Sequence, residues 1–357
     1  MVTEKTVFDL SGVRALIGKD QELTEAEAYL AECPVDASEI RRYALAVEDW
    51  NPLWVEDTYA RKTRWGGIIA PPTFMHTCGG GTALTGVHVD GTDDWPDGNL
   101  FAGSEYEFCV PIRVGDTISP RSRICNVIEK AGRFVGPIVF VTSETTYTNQ
   151  KEELIGVYRQ TVGKYSTAAA REKGSYTAEE LGPLFPPGFP QMTKGELRAR
   201  GAEPLYYEDV SLGSGVPPLT RELTIPKIVS TSDVAARAGI ILLHTLPGPG
   251  CYWHYAVGES WKKRGLPAPM DEGPIRAAQP SQLITDWIGD DGWLSKLTLQ
   301  IRRPIYAGDT TIWRGRVVDK YLKEGQGFVE CELEGENQRG HISTQGKATV
   351  VLPLRRG

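Results

Sequence analysis

Residues 110–118 read Val-Pro-Ile-Arg-Val-Gly-Asp-Thr-Ile, and residues 303–311 read Arg-Pro-Ile-Tyr-Ala-Gly-Asp-Thr-Thr. A chain that carries Pro-Ile-x-x-Gly-Asp-Thr twice, each time between β-rich runs, is built from two copies of one unit. The shared residues are turn formers, which place each copy of the motif between two strands. A second echo lies downstream, where Tyr147-Thr148-Asn149-Gln150 corresponds to Gly335-Glu336-Asn337-Gln338.

The strands around these turns show the two-residue period. Val329, Cys331 and Leu333 alternate with Glu330, Glu332 and Glu334, and residues 347–352 alternate similarly. Each copy also opens with a helix. Asp36 and Glu39 form a capping box ahead of Ile40, Tyr43, Ala44 and Val47, which share one helical face. In the second copy Thr224 is the N-cap, with Pro226 in the first turn and Ile228 and Val229 following. Between the copies the chain is rich in Pro, Gly and charge. The expected organisation is therefore a first domain over 1–165, a linker over 166–204 and a second domain over 205–357. Each is a helix, a long loop, a second helix and three or four antiparallel strands, which is an α+β class.

The 357 residues suffice for two ordinary domains, and 40% hydrophobic with 24% charged residues is a globular composition. A net charge of -7 argues against non-specific nucleic-acid binding, which needs a basic face. No apolar run approaches the ~20 residues that span a bilayer, and Met1-Val2-Thr3-Glu4-Lys5 lacks a signal-peptide layout. The six cysteines have no paired spacing, so neither a disulfide framework nor a zinc site is expected, and a cytoplasmic location is. No metal-ligand cluster stands out, no cofactor is expected, and Gly79-Gly80-Gly81 is a loop or helix end rather than a nucleotide fingerprint.

Residues 43–54, Tyr-Ala-Leu-Ala-Val-Glu-Asp-Trp-Asn-Pro-Leu-Trp, followed by Tyr59-Ala60 and by Gly-Gly-Ile-Ile-Ala-Pro-Pro-Thr-Phe at 66–74, resemble the hydratase motif of MaoC-like enoyl-CoA hydratases and dehydratases. The first copy is similar to the N-terminal half of fatty-acid-synthase-type dehydratases of double hot-dog form. Residues 283–289, the Gly308-Asp309-Thr310 turn and residues 336–340 match the C-terminal half. The resemblance implies two tandem hot-dog domains, each a sheet wrapped around a central helix, with an acyl thioester between the halves. It also implies an Asp/His pair that handles the water, and a glycine N–H at a helix start that holds the enolate oxygen. Such chemistry needs a base working near neutral pH and a fixed donor where negative charge develops.

The first copy keeps Asp49, Asn51 and Pro52 but has Trp54 where the family's His would stand, and an indole cannot shuttle a proton. Pro71-Pro72 replaces the expected glycine and removes an N–H. The first domain is thus expected to cradle substrate, through Asp49, Asn51, Trp54 and His76, with Asp49 also serving its loop and His76 alternatively a core residue. In the second copy His254 is the candidate base and Gly273 the candidate oxyanion donor, with Trp253 beside the substrate. The family's Asp is Pro249 here, so Asp271 or Glu272 is expected to partner His254. His254 packing among its aromatic neighbours, and Gly273 as a plain turn glycine, are the structural alternatives. Arg302-Arg303 and Arg355-Arg356 are candidates to meet the phosphates of coenzyme A.

The expected function is reversible hydration of a 2-enoyl-CoA, or dehydration of a 3-hydroxyacyl-CoA. The alternatives are a non-catalytic acyl-CoA-binding subunit whose partner carries the complete Asp/His pair, and a hot-dog enzyme with altered chemistry on a non-CoA substrate. A homo-oligomer is expected, or a hetero-oligomer with a second hot-dog protein, without nucleic acid or membrane partners.

Overall fold

The computed structural model describes residues 8–23, 25–79, 96–132, 135–173, 204–234, 261, 266, 268–271 and 273–355. Nine strands dominate it: β1 Gly98–Phe108, β2 Ile118–Gly132, β3 Gly136–Asn149, β4 Leu154–Tyr165, β5 Gly215–Glu222, β6 Trp293–Ile301, β7 Thr310–Lys323, β8 Gln326–Asn337 and β9 Ile342–Leu352. They form one sheet in the order β2-β3-β4-β1-β6-β9-β8-β7-β5, with every pairing antiparallel. The first copy supplies β1 to β4 and the second β6 to β9, each in the order 2-3-4-1 outward-in, so the copies meet at β1 and β6. Register there runs from Gly103 opposite Gln300 to Glu107 opposite Lys296.

The repeated motifs explain why both copies close the same way. Gly115 and Gly308 take positive φ, +94° and +92°, which glycine adopts without the Cβ clash of other residues. Asp116 Oδ2 accepts from Arg113 N at 2.8 Å, and Asp309 Oδ2 from Tyr306 N at 3.0 Å. Gln150 Oε1 accepts from Thr117 N at 3.1 Å, and Gln338 Oε1 from Thr310 N at 2.9 Å. Asn149 and Asn337 each close their own hairpin by accepting two backbone N–H groups. Both echoes seen in the sequence are thus one device: an Asp turn fastened to an Asn-Gln hairpin.

The opening helices follow their caps. Asp36 accepts from Ser38 N and Glu39 N while Asp36 N donates to Glu39, starting helix Ala37–Ala46. Thr224 Oγ1 accepts from Lys227 N at 3.4 Å and starts helix Ile225–Val234. Val35 N and Leu223 N each donate to the carbonyl of their own turn Asp, at 2.8 Å in both copies, so the entries to these helices correspond.

Helix Ala278–Ile288 is the central helix of the second copy. Leu283, Ile284 and Ile288 are buried, as are the polar Ser281, Gln282 and Thr285, so it is enclosed on most sides. Burial of each large aliphatic side chain contributes roughly 1.5–3 kcal/mol. Trp313 of β7 is fully buried against it and donates Nε1–H to Gln279 Oε1 at 2.7 Å. On β8, Val329, Cys331 and Leu333 face this core, as their alternation predicts.

Two local expectations change. The first copy's second helix is a 3-10 helix over Pro72–Cys78 in the described residues, ending at Gly79 with φ +95°. A Pro71-Pro72 start supplies no N–H at either position, and this segment keeps the tighter winding. The segment expected as linker opens with helix Thr167–Lys173, whose Ala170 packs with Val135, Ile138 and Tyr165. Three successive alanines favour that helix, and the first proline of the segment comes only at Pro183. No helix among the described residues is long and apolar enough to cross a membrane.

Candidate active site

Gly273 is buried and begins helix Gly273–Arg276, which leads into the central helix. Its position corresponds to Pro72, because Ile69 bridges Arg113 in the first copy just as Met270 bridges Tyr306 in the second. The first N–H groups of a helix have no intrahelical acceptor and carry the positive end of its dipole. Gly273 therefore brings a donor to this point where Pro72 brings none. Phe101 of β1, from the first copy, packs directly on Gly273. A Cβ there would fall closer than 3.0 Å to Phe101 Cβ, Cγ and Cδ1.

A cavity of about 210 Å³ opens at this place and is lined by both copies. β1 contributes Leu100, Phe101 and Ala102; the second copy contributes Asp271, Gly273 and Arg276, with Arg302 and Arg303 beyond them. Arg302 is exposed and its guanidinium donates to Gln300 and Gln345 side chains, at 2.7 and 3.1 Å. Arg355 is engaged differently, paired with Asp209 at 2.6 Å.

Asp271 and Arg276 form a two-pronged ion pair beside Gly273. Arg276 Nε donates to Asp271 Oδ2 at 2.6 Å and Nη2 donates to Asp271 Oδ1. Arg276 Nη1 also donates to the Arg303 carbonyl at 2.8 Å, and the arginine is only 4% exposed. A guanidinium fork matched to a carboxylate is rigid, so the pair fixes the chain on both sides of Gly273. His254, Trp253 and Glu272 lie outside the described residues.

The first-copy candidates gather in the core. Asn51 caps helix Pro52–Val55 by accepting from Leu53 N at 3.0 Å, and Asp49 Oδ1 accepts from Asn51 N at 3.4 Å. Trp54 is buried, and its indole N–H meets no acceptor among the described residues. His76 sits in the 3-10 helix with Tyr43 and Tyr158 rings at 6.0 and 6.3 Å. Neither of its ring nitrogens makes a well-formed hydrogen bond to a described residue. Burial pushes its pKa down to about 4, with a weak interaction from the Thr73 backbone working the other way. It is thus a neutral imidazole at pH 7. Tyr43 donates to Thr73 Oγ1 at 2.9 Å in the same cluster.

Residues 27–157 match the family model of the FAS1-like dehydratase domain region. A Thermomonospora curvata protein named "Probable enoyl-CoA hydratase alpha subunit" is 24% identical over 151 residues, 38% of this chain. The match spans 46% of that protein, less than half its length. A solved MaoC-like dehydratase superposes with TM-score 0.68 at 18% identity, covering 96% of this chain and all of the other. A Mycobacterium tuberculosis protein described as having a double hot-dog fold superposes with TM-score 0.58 at 11% identity, covering 89% of this chain and 92% of that one. This chain has a double hot-dog fold, and residues 27–157 of its first half are similar to the FAS1-like dehydratase region.

The double hot dog ties its halves together at a residue the sequence did not single out. Glu48, just before Asp49, has φ +59°, and its carbonyl accepts from Arg221 Nη2 and Gln282 Nε2, both at 3.1 Å. Lys227 Nζ lies 3.0 Å from Glu48 Oε1. The motif loop of the first half is thereby held by the central helix and the strand and helix that flank it in the second. Arg276 and Phe101 were equally unmarked in sequence. The five-residue spacing from Asp271 to Arg276 was the available sign for one, while the approach of Phe101 to Gly273 joins distant segments and left none.

Proposed function

We propose that this double hot dog is a hydro-lyase acting on an acyl-CoA thioester, adding water to a 2-enoyl-CoA or removing it from a 3-hydroxyacyl-CoA. The observation that carries the reading is Gly273: a buried helix-start glycine in a cavity lined by both halves, at the place where the other copy has proline. In the dehydration direction a base removes the proton at C2, charge moves onto the thioester oxygen, and the C3 hydroxyl leaves as water once it receives a proton. The Gly273 N–H is the donor proposed to receive that oxygen, and a fixed donor serves best when charge appears only in the transition state. His254 is the proposed proton carrier.

Asp271 is better cast as the residue that holds Arg276 than as the partner of His254, since Arg276 engages both of its oxygens. Glu272 is then the remaining carboxylate candidate. Arg302 and Arg303 at the cavity rim are proposed to meet the phosphates of coenzyme A. The test is turnover of a chain-length series of 2-enoyl-CoAs and 3-hydroxyacyl-CoAs by the purified protein. Binding of the series without hydration or dehydration of any member would overturn the proposal. That outcome would favour a second reading, a non-catalytic subunit of a hetero-oligomer. The alpha-subunit name of the Thermomonospora curvata relative and Pro249 in place of the family's Asp support it. Co-expression with a second hot-dog protein would then restore turnover.

A further inference from the structure

A second cavity, of about 570 Å³, opens where the repeat puts the counterpart of the Gly273 cavity. Gly115 and Gly308 stand 193 residues apart, and the same step carries Leu100 to Trp293 and Pro111 to Pro304. Asn149 and Asn337 stand 188 apart, and that step carries Phe140 to Phe328. In each pair one residue lines one cavity and its counterpart lines the other. Duplication thus produced two cavities, and their linings have diverged in chemistry.

The counterpart cavity has lost what the other offers an enolate. Pro72 stands for Gly273, and Cys109 and Val110 stand for Arg302 and Arg303. It has gained two indoles. The Trp65 and Trp293 rings lie 5.5 Å apart at 47°. Trp65 Nε1 donates to the Asp290 carbonyl at 2.8 Å and Trp293 Nε1 to the Phe108 carbonyl at 3.0 Å. With both N–H groups satisfied inside the protein, the two indoles are held in place in the cavity wall. The Arg64 guanidinium sits 4.1 Å from the Trp65 ring centroid, and Asp291 also lines the space. Indole faces stack bases of any identity, a guanidinium pairs with phosphate, and a carboxylate accepts from ribose hydroxyls or an exocyclic amine. A volume of this size suits a nucleotide-sized ligand.

We propose that the counterpart cavity is a non-catalytic binding site for an adenine nucleotide, with the purine on Trp65 and Trp293 and a phosphate on Arg64. The nucleotide is either free or the adenine end of a coenzyme A molecule other than the one proposed at Gly273. Calorimetric titration of the full chain with ADP, and separately with coenzyme A, tests it. ADP is expected to bind at one site, about tenfold more weakly in Trp65→Leu and in Arg64→Glu. Arg64 is exposed, so Arg64→Glu leaves the fold and any turnover unchanged while weakening ADP. Coenzyme A is expected at two sites, one sensitive to Arg64→Glu and the other to Arg303→Glu. No ADP binding up to about 1 mM, or ADP binding indifferent to both cavity variants, overturns the proposal. A simple N-acetylcysteamine thioester displacing ADP from this cavity would also overturn it, by making the site an acyl pocket. A single coenzyme A site sensitive only to Arg303→Glu, with ADP binding unaffected by Arg64→Glu, removes this inference and leaves the Gly273 reading standing. A single site sensitive only to Arg64→Glu does the reverse.

Discussion

Adding one methyl group at Gly273 should damage the protein out of proportion to its size. The backbone there is outside the left-handed region, so alanine is conformationally allowed, and in an open helix it would be neutral or favourable. What opposes it is Phe101, three of whose carbons would lie closer than 3.0 Å to the new Cβ. Regaining ordinary carbon–carbon contact near 3.5–4.0 Å requires Phe101, its Cβ included, to retreat by about 1–2 Å. Neighbouring atoms of a packed site resist such shifts, and overpacking of this kind costs about 1–3 kcal/mol. Urea unfolding of Gly273→Ala beside wild type reads that cost directly. Phe101→Ala in the same chain removes two of the three obstructing carbons, Cγ and Cδ1, and keeps Cβ, so the double variant should recover part of the loss, with a coupling of about 0.5–3 kcal/mol. Turnover should fall in Gly273→Ala even though its N–H is retained, because the displaced ring moves within the small cavity that the substrate is proposed to enter. A Gly273→Ala variant within about 0.5 kcal/mol of wild type, with no coupling to Phe101, would refute the argument.

Other outcomes follow from the buried polar groups. Asp271→Asn leaves Arg276 buried without its counter-charge and should destabilise the fold by about 3 kcal/mol, checked by denaturant unfolding; a neutral effect would mean the pair is dispensable. His76 has a folded pKa of about 4 against an ordinary 6.5, so above pH 6.5 both states are neutral and stability is complete. As pH falls from 6.5 to 4 the unfolded chain takes up a proton that the folded one refuses, and stability should drop by roughly 3 kcal/mol. His76→Met should flatten that part of the stability–pH curve, and an unchanged curve would count against a neutral buried imidazole.

Much of the fold was legible because its signals are local. The Gly-Asp-Thr turns and the Asn-Gln hairpins are short-range hydrogen-bond devices, and Asp36 and Thr224 cap helices through neighbours within three residues. The 3-10 winding after Pro71-Pro72 needed the packed environment as well as the prolines. At the site, the contrast between Pro72 and Gly273 could be read from residue types alone. The grip of Arg276 on Asp271, the seat of Phe101 on Gly273 and the anchoring of Glu48 by Arg221 and Gln282 could not, since pairing of β1 with β6 and enclosure of the central helix create them.

Duplication followed by divergence leaves one half proposed to do chemistry and the other to support it, and that asymmetry is most directly tested at His254. The measurement is the rate of dehydration of a 3-hydroxyacyl-CoA by His254→Ala beside wild type, at matched protein stability. Loss of a general acid–base group should lower the rate by about 10²–10⁴-fold. An unchanged rate would contradict the assignment of the reaction to the second half.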